Sequence, residues 1–243
     1  MMNQIQIKKL STRYQVGEAR IAQEYIQHCF LSELYKQEDS DKILFKGGTC
    51  LRLVFNSPRF SEDLDFTACQ NISYPEIESL LTEVFLNLDN FGFDVEIKEA
   101  KKTTGGYISK VDLSFSGYVL ELKIEISFRI SRERVKKEIS QIKNEFINTY
   151  DIYHLAREGV VSGKLAALMA RSKPRDWYDL YFLIKNDYLN NKQKDLFPEI
   201  LNKFENYKGD IKKELKIFLP KSHQIILKDF KKVLIQELKK YTA

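Results

Sequence analysis

Residues 43–66 combine acidic residues and glycines at a spacing that suits metal and phosphate chemistry; they read ILFKGGTCLRLVFNSPRFSEDLDF. Near the end of this stretch, alternating residue types predict a strand on which Ser61, Asp63 and Asp65 share one face. Two carboxylates this close repel each other unless a cation lies between them. Mg²⁺ is a hard ion that binds carboxylate oxygens together with substrate phosphates, and Mn²⁺ accepts similar ligands. Asp63 and Asp65 are therefore predicted to bind one of these metals.

A phosphate site is predicted just before the acid pair. Ile43–Phe45 is an apolar run long enough for a buried strand, and Gly47 and Gly48 follow it. Thr49 is then expected to cap a helix over Cys50–Phe55. A strand, a glycine turn and a helix start direct backbone N–H groups to one point, which suits a phosphate. A phosphate-binding turn followed by metal-binding acids is the combination that nucleotidyl transfer requires.

These two motifs carry a family resemblance. Gly-Gly-Thr, a short helix and Asp-x-Asp resemble the signature of the DNA polymerase β-type nucleotidyltransferase superfamily. The fuller string KGGTCLRLVFNSPRFSEDLDF more narrowly resembles the AbiEii/AbiGii-type toxins of type IV toxin–antitoxin and abortive-infection systems. The resemblance implies a polymerase β-like mixed sheet with flanking helices and an NTP substrate. It also implies that Gly47, Gly48, Thr49 and Ser61 contact the triphosphate.

A third acid is expected from a later strand. Leu120–Ile126 alternates apolar and charged residues, and in this superfamily an apolar–acid–apolar strand usually supplies the third carboxylate. By resemblance, Glu125 takes that role as a metal ligand beside Asp63 and Asp65. A solvent-facing glutamate on an ordinary strand explains the same alternation, so both interpretations stay open.

A second motif lies at residues 162–180, which read SGKLAALMARSKPRDWYDL. It resembles the KxxA…R…RDxxDL pattern of AbiEii-type proteins, in which a lysine and an aspartate complete the nucleotide site. The resemblance implies that Lys164 and Arg171 bind the nucleotide and that Asp176 or Asp179 acts in catalysis. Which aspartate acts is left open. The alternative is a helix-capping and salt-bridge cluster, since an aspartate near a helix start is stabilising without substrate.

Periodicity predicts an α+β fold with a mixed α/β domain over residues 1–130 and a helical domain over residues 131–243. The resemblance implies that the first is the nucleotidyltransferase domain and that the second completes the nucleotide site. The boundary is expected near Phe128–Glu133. In the first half, helices are predicted at Glu18–Tyr35 and Pro75–Leu88, a strand at Phe91–Ile97, and a hairpin of Val111–Phe115 with Tyr118–Phe128. In the second half, helices are predicted at Arg132–Ile147, Gly159–Arg171, Arg175–Ile184, Lys192–Tyr207, Asp210–Leu219 and Gln224–Tyr241.

Composition restricts the class of protein. The chain has 243 residues, 43% of them hydrophobic, and a formal net charge of +5, which permits a nucleic-acid partner. No apolar run approaches the eighteen residues of a membrane span, and the start lacks the apolar core of a secretory signal. Three cysteines are too few and too irregular for a disulfide framework or a zinc site. We therefore expect a cytoplasmic protein with reduced thiols and no membrane partner.

The expected activity is transfer of a nucleoside monophosphate from an NTP, with release of pyrophosphate. The resemblance implies a toxin that acts on RNA, with the acceptor end of tRNA as one possibility, and a cognate antitoxin as partner. Two alternatives stay open at this point. One is a small-molecule nucleotidyltransferase of the antibiotic-modifying kind, and the other is a non-catalytic RNA-binding module.

Overall fold

The computed structural model describes residues 1–69, 72–128 and 136–241. Contacts divide the chain into two compact units, Met1–Ala156 and Arg157–Ala243. We call them the sheet unit and the helical unit, after the elements that each contains. None of the helices in the described ranges is both long enough and apolar enough to cross a membrane.

The sheet unit contains one mixed sheet, to which the described residues contribute seven strands in the order β3-β4-β5-β2-β1-β7-β6. β2 pairs with β5 and β1 with β7 in parallel, whereas the other neighbours are antiparallel. The two central strands are therefore β2 and β1, flanked by strands that come later in the chain. The bounds are β1 Ile43–Lys46, β2 Leu64–Ala68, β3 Asp94–Thr103, β4 Gly106–Phe115, β5 Tyr118–Ser127, β6 Lys137–Ile142 and β7 Tyr150–Leu155.

The helices of the sheet unit bury apolar side chains and position the centre of the sheet. α2 packs against α1, α4 and the strands β5 and β7, so it is buried from Ile21 to its end. α4 begins at a capping box in which Ser73 and Glu76 satisfy each other's backbone N–H groups. The bounds are α1 Gln4–Tyr14, α2 Glu18–Leu34, α3 Gly47–Leu53 and α4 Tyr74–Asn90, with a 3-10 turn at Ser40–Lys42.

The helical unit is built around aromatic residues. Trp177 is fully buried, and its ring centroid lies 4.5 Å from that of Phe204. Pro174 occupies the first turn of α6, where its missing N–H costs no helical hydrogen bond. The bounds are α5 Arg157–Arg171, α6 Pro174–Lys185, α7 Asn191–Lys194, α8 Phe197–Glu205, α9 Ile211–Leu215 and α10 Phe230–Lys239, with 3-10 structure at Lys221–Lys228.

Several predicted elements are confirmed: the α+β class, the helices α2 and α4, the β4–β5 hairpin and the α5–α6 pair. The helix predicted at Arg132–Ile147 is wrong, because β6 occupies residues 137–142 and pairs with β7. Residues 129–135, which hold most of the predicted boundary, lie outside the described residues. β6 and β7 both follow residue 130 and continue the sheet.

Three helices of the helical unit differ from their predictions. The helix predicted at Asp210–Leu219 is shorter, because α9 ends at Leu215. The segment Lys192–Tyr207 forms two helices, α7 and α8, because the chain restarts at Phe197 with a proline in the first turn. The segment Gln224–Tyr241 begins as 3-10 structure and becomes α-helical only at Phe230.

Candidate active site

The predicted acids meet at the start of β2. Asp65 is the second residue of this strand, and its register partners are Lys46 on β1 and Glu125 on β5. Register partners project their side chains to the same face of a sheet. Asp63 lies immediately before β2, so the predicted strand is wrong for residues 61–63, which form a loop. Asp65 and Glu125 thus share a sheet face, and Asp63 lies within electrostatic reach of both.

Burial and neighbouring carboxylates affect the ionisation of Asp63. Burial raises the pKa of Asp63 above its ordinary value, and the neighbouring Asp65 carboxylate raises it further. Lys123 acts in the opposite direction, and Glu125 again raises the pKa. A carboxyl group whose pKa is raised by burial and like charge is one that a cation would stabilise in its ionised form.

Lys123 was not singled out from the sequence, yet it belongs to this acid group. It is two residues from Glu125 on β5, and its ammonium forms an ion pair with the Glu125 carboxylate. The hydrogen bond to Glu125 raises the pKa of Lys123, burial opposes that effect, and Asp63 and Asp65 add to the increase. The signal available in the sequence was the alternation Lys-Ile-Glu, which puts both charged residues on one strand face.

Gly47 allows the backbone to approach the acid group. Its φ angle is +84°, a conformation that L side chains rarely adopt. A Cβ built on Gly47 would overlap the Oδ2 atom of Asp65 and lie 2.7 Å from the Cβ of Asp65. The glycine is therefore needed both for the turn between β1 and α3 and for room beside the carboxylate.

Thr49 does not cap the helix as predicted. α3 begins at Gly47 with Lys46 as its N-cap, because the glycine turn brings the chain into helical conformation before Thr49. The buried Thr49 hydroxyl instead donates a hydrogen bond of 2.5 Å to the backbone carbonyl of Asp63. Thr49 thus links the turn between β1 and α3 to the loop that carries Asp63.

The loop before β2 is held by glutamines of α2, which sequence reasoning also missed. The Gln27 amide donates to the backbone carbonyls of Ser61 at 3.1 Å and Glu62 at 2.8 Å. Gln23 donates to the carbonyls of Glu62 and Glu121 at 3.3 and 3.2 Å. Both glutamines are polar but buried, because α2 packs on the sheet. They fix the loop that contains Asp63 relative to β5.

α3 is anchored to α2 by a buried ion pair. The Arg52 guanidinium donates to both oxygens of Glu24, at 2.7 and 3.0 Å. It also donates to the carbonyl of Ser57 and lies 4.0 Å from the centroid of the Phe60 ring. A two-pronged arginine–carboxylate contact of this kind fixes orientation as well as distance.

Within the helical unit, the four site residues predicted from the second motif take part in ion pairs. Lys164 of α5 lies 2.8 Å from the carboxylate of Asp179 on α6, and this aspartate side chain is only 1% exposed. Arg171 forms a two-pronged pair with Asp176, at 3.0 and 2.9 Å. Asp176 also accepts the backbone N–H of Lys173 at 2.9 Å, so it caps α6. The predicted salt-bridge and capping cluster is therefore present, and each aspartate has a different cationic partner.

Over residues 1–69, 72–128 and 136–241, the structure contains no group of three or more histidine, cysteine or acidic side chains arranged to hold a metal. The donor set of Asp63 and Asp65 nevertheless fits a hard divalent cation, because both supply carboxylate oxygens. The raised pKa of Asp63 supports that fit. Glu125, the predicted third ligand, is paired with Lys123.

Comparison with known protein families identifies one match that covers most of the chain. The profile of the family described as nucleotidyl transferase AbiEii toxin, type IV TA system, matches residues 29–241. No curated protein sequence matches the chain.

Three solved structures share the fold. A candidate nucleotidyltransferase from H. pylori has 22% identity and a TM-score of 0.61, covering 93% of this chain and 98% of its own. JHP933 from Helicobacter pylori has 22% identity and a TM-score of 0.54, with 93% and 96% covered. MenT4, a nucleotidyltransferase toxin from Mycobacterium tuberculosis H37Rv, has 14% identity and a TM-score of 0.61, with 100% and 94% covered. The chain belongs to the AbiEii family of nucleotidyltransferase toxins of type IV toxin–antitoxin systems.

Proposed function

We propose that this nucleotidyltransferase moves a nucleoside monophosphate from an NTP to an RNA acceptor in a metal-dependent reaction, and that a cognate antitoxin restrains it. The observation that carries the proposal is the acid group of Asp63 and Asp65 beside the Gly47 turn. A turn that admits only glycine next to two aspartates joins a phosphate cradle to a metal site, which together suit transfer from a triphosphate.

The acids are assigned to the metal. Asp63 and Asp65 would hold Mg²⁺ or Mn²⁺, with Glu125 as a third ligand. When bound, such an ion supplies charge neutralisation at the attacking and leaving oxygens of the displacement. The residues of this chain contribute position: Thr49 and Gln27 fix the loop that carries Asp63, and β2 fixes Asp65.

The triphosphate is assigned to the turn between β1 and α3. The first N–H groups of an α-helix have no acceptor within the helix, so those of Gly47, Gly48 and Thr49 can serve phosphate oxygens. Ser61 lies in the loop before β2 and adds a hydroxyl donor. Because the Thr49 hydroxyl is already bonded to the Asp63 carbonyl, Thr49 contributes its backbone N–H alone.

In the helical unit, we assign Lys164 and Asp179 to catalysis and Asp176 to structure. Lys164 would neutralise the departing pyrophosphate, since an ammonium has three donors and Asp179 occupies only part of that capacity. Asp179 then orients the lysine through their 2.8 Å ion pair. The Asp176 carboxylate caps α6 and pairs with Arg171. We therefore assign Arg171 mainly to this ion pair, and its predicted contact with the nucleotide comes second.

The charge distribution supports RNA as the acceptor. The helical unit, Arg157–Ala243, contains 19 lysines and arginines but 11 aspartates and glutamates, whereas the sheet unit contains 20 and 23. The basic excess is therefore confined to the helical unit. Lysines and arginines that neutralise RNA phosphates release counterions, which supplies affinity without base recognition.

The proposal is tested by offering the purified protein each α-labelled NTP in turn with Mg²⁺ and total bacterial RNA. We expect one NTP to label RNA and Asp65→Asn to label none. Asp187→Asn is the matched control, because Asp187 is an exposed aspartate outside the site, and it should retain full activity. Label in small molecules instead of RNA would support the antibiotic-modifying alternative, and no label anywhere would support the non-catalytic one.

A further inference from the structure

Two lysines lie beside the acid group: Lys46 is the register partner of Asp65 on β1, and Lys123 lies two residues before Glu125 on β5. Lys123 shares its strand face with Glu125 and forms an ion pair with it. Glu125 is the register partner of Asp65, so Lys123 lies on the face that carries these two carboxylates. Lys123 also lowers the pKa of Asp63, which places its charge within electrostatic reach of the first aspartate.

A neighbouring lysine shows what is particular about Lys123. Lys110 on β4 is the register partner of Lys123, and it forms an ion pair of the same type with Glu99, at 2.8 Å. The Lys110 pair belongs to the outer β3–β4 hairpin, one strand further from Asp65. Both lysines are partly exposed residues on adjacent strands, but only Lys123 faces a group of three acids.

We propose that Lys123 is an internal counter-ion of the metal site, which pairs with Glu125 and partly offsets the charges of Asp63 and Asp65 in the metal-free enzyme, and that it is displaced when a divalent cation binds. This inference rests on the proposed function of the acid group. Its consequence is that free metal must compete with a cation already in place. The site therefore binds a divalent ion weakly until an NTP brings further negative charge.

The physical basis is the balance of charge. A divalent ion beside the three acids is repelled by an ammonium that remains among them, and water only partly screens repulsion between charges a few ångströms apart. The metal must therefore either break the Lys123–Glu125 pair or bind against that repulsion. In both cases, removing the lysine charge strengthens binding of the metal alone.

The test measures binding of Mn²⁺ alone by electron paramagnetic resonance, without nucleotide. Lys123→Met, which keeps most of the length of the side chain but removes its charge, should bind Mn²⁺ at least about tenfold more tightly than wild type. Lys123→Arg keeps the charge and should bind as wild type does. Lys110→Met is the matched control and should also bind as wild type does. Equal Mn²⁺ affinity in wild type and Lys123→Met would overturn the inference.

A second measurement needs only the wild-type protein, so it remains decisive if Lys123→Met does not fold. Brief treatment with acetic anhydride, followed by mass spectrometry, reports how accessible each lysine amine is. Adding Mn²⁺ should increase acetylation of Lys123 several-fold, because the amine leaves its carboxylate partners, while acetylation of Lys110 stays constant. Acetylation of Lys123 that does not respond to saturating Mn²⁺ contradicts displacement.

The metal site and the counter-ion role of Lys123 can be tested separately. If Mn²⁺ binds and Asp65→Asn abolishes that binding, but Lys123→Met leaves it unchanged, the metal site stands and the counter-ion inference falls. If Mn²⁺ binding is unaffected by Asp65→Asn, or is absent from every variant, the metal site itself falls and the inference falls with it.

Discussion

At the scale of single residues, the central fact is that Asp63 and Asp65 lie close enough for their carboxylates to interact. Burial and the neighbouring carboxylate both raise the pKa of Asp63. The ionised form of Asp63 is therefore less favourable in the folded protein than in the unfolded chain. This cost is absent below the ordinary pKa of an aspartate and is complete above the raised pKa, so it lowers stability at neutral pH.

From this sign we predict that Asp63→Asn abolishes nucleotidyl transfer without lowering the melting temperature at pH 7. The amide removes the unfavourable charge, so the melting temperature should be unchanged or higher. The difference between variant and wild type should shrink as pH falls towards 4, where Asp63 itself takes up a proton. Differential scanning calorimetry over this pH range gives the result. A lower melting temperature at pH 7 would mean that the charge of Asp63 is stabilising.

A second prediction concerns the pair of Lys164 and Asp179. Lys164→Ala should abolish transfer and lower the stability of the fold by about 3–5 kcal/mol, because it leaves a buried carboxylate without this cation. The double variant Lys164→Met, Asp179→Asn removes both charges and should recover most of that stability while remaining inactive. Unfolding in urea and the transfer assay measure the two effects separately. If the double variant regained activity, the pair would be structural only.

A third prediction separates the two aspartates of α6. Asp176→Asn loses the Arg171 pair and weakens the cap of α6, and should cost about 1–3 kcal/mol of stability. Below its melting temperature this variant should retain transfer, whereas Asp179→Asn should be folded and inactive. The experiment compares activity at 10 °C and thermal unfolding for both. Inactive, fully folded Asp176→Asn would reverse the assignment.

At the scale of elements, the turn from β1 into α3 controls whether the acid group can form. We predict that Gly47→Ala destabilises the protein by more than about 2 kcal/mol and abolishes transfer, since it combines a left-handed backbone with overlap on Asp65. Gly163→Ala is the matched control. Gly163 lies in α5 with open space around it, so the alanine should add about 0.5–1 kcal/mol of stability and keep activity. A stable, active Gly47→Ala would contradict the role of the turn.

The sequence predicts an element well when its pattern of apolar residues fits only one type of secondary structure. In the β4–β5 hairpin, apolar residues such as Val111 and Leu122 are buried in register, so strict alternation marks both strands. β6 is an edge strand on which Ile139 is 62% exposed, so its few apolar residues also fit a helical stripe. No local pattern distinguishes the two, since pairing with β7 decides the outcome.

The same reasoning applies to the candidate site. Asp63, Asp65 and the glycine turn are predictable, because their spacing is local. Gln23 and Gln27 are not, because the backbone carbonyls that they contact lie 34 or more residues away in the chain. The local alternation indicates that Lys123 and Glu125 share a strand face, but the pairing of β5 with β2 that brings Lys123 near Asp65 is not local. The position of Thr49 also depends on where the glycine turn lets α3 begin, which the cap rule did not anticipate.

At the scale of the whole molecule, the basic excess of the helical unit predicts how RNA binds. Association should weaken steeply as salt rises, because counterions are released when phosphates are neutralised. Asp65→Asn should show the same salt dependence, since binding and chemistry use different residues. Filter binding between 50 and 300 mM salt, values chosen around physiological ionic strength, provides the measurement. Absence of RNA binding at low salt would argue against an RNA acceptor.

Family membership predicts a cellular effect. Expression of the wild-type chain without its antitoxin should inhibit bacterial growth, and Asp65→Asn at equal protein level should not. The comparison needs immunoblots to show equal expression, because toxic proteins are often produced poorly. Growth that is equally normal with both proteins would point to the small-molecule alternative.

The reaction itself is tested most directly by the fate of the label in two positions of the same NTP. With the NTP that the screen identifies, the account predicts that α-labelled nucleotide enters RNA, that γ-labelled nucleotide does not, and that one pyrophosphate is released per nucleotide added. Asp65→Asn should do none of these while binding RNA normally. Label entering RNA from the γ position, or α-label transfer that survives Asp65→Asn, would contradict nucleotidyl transfer at this acid group.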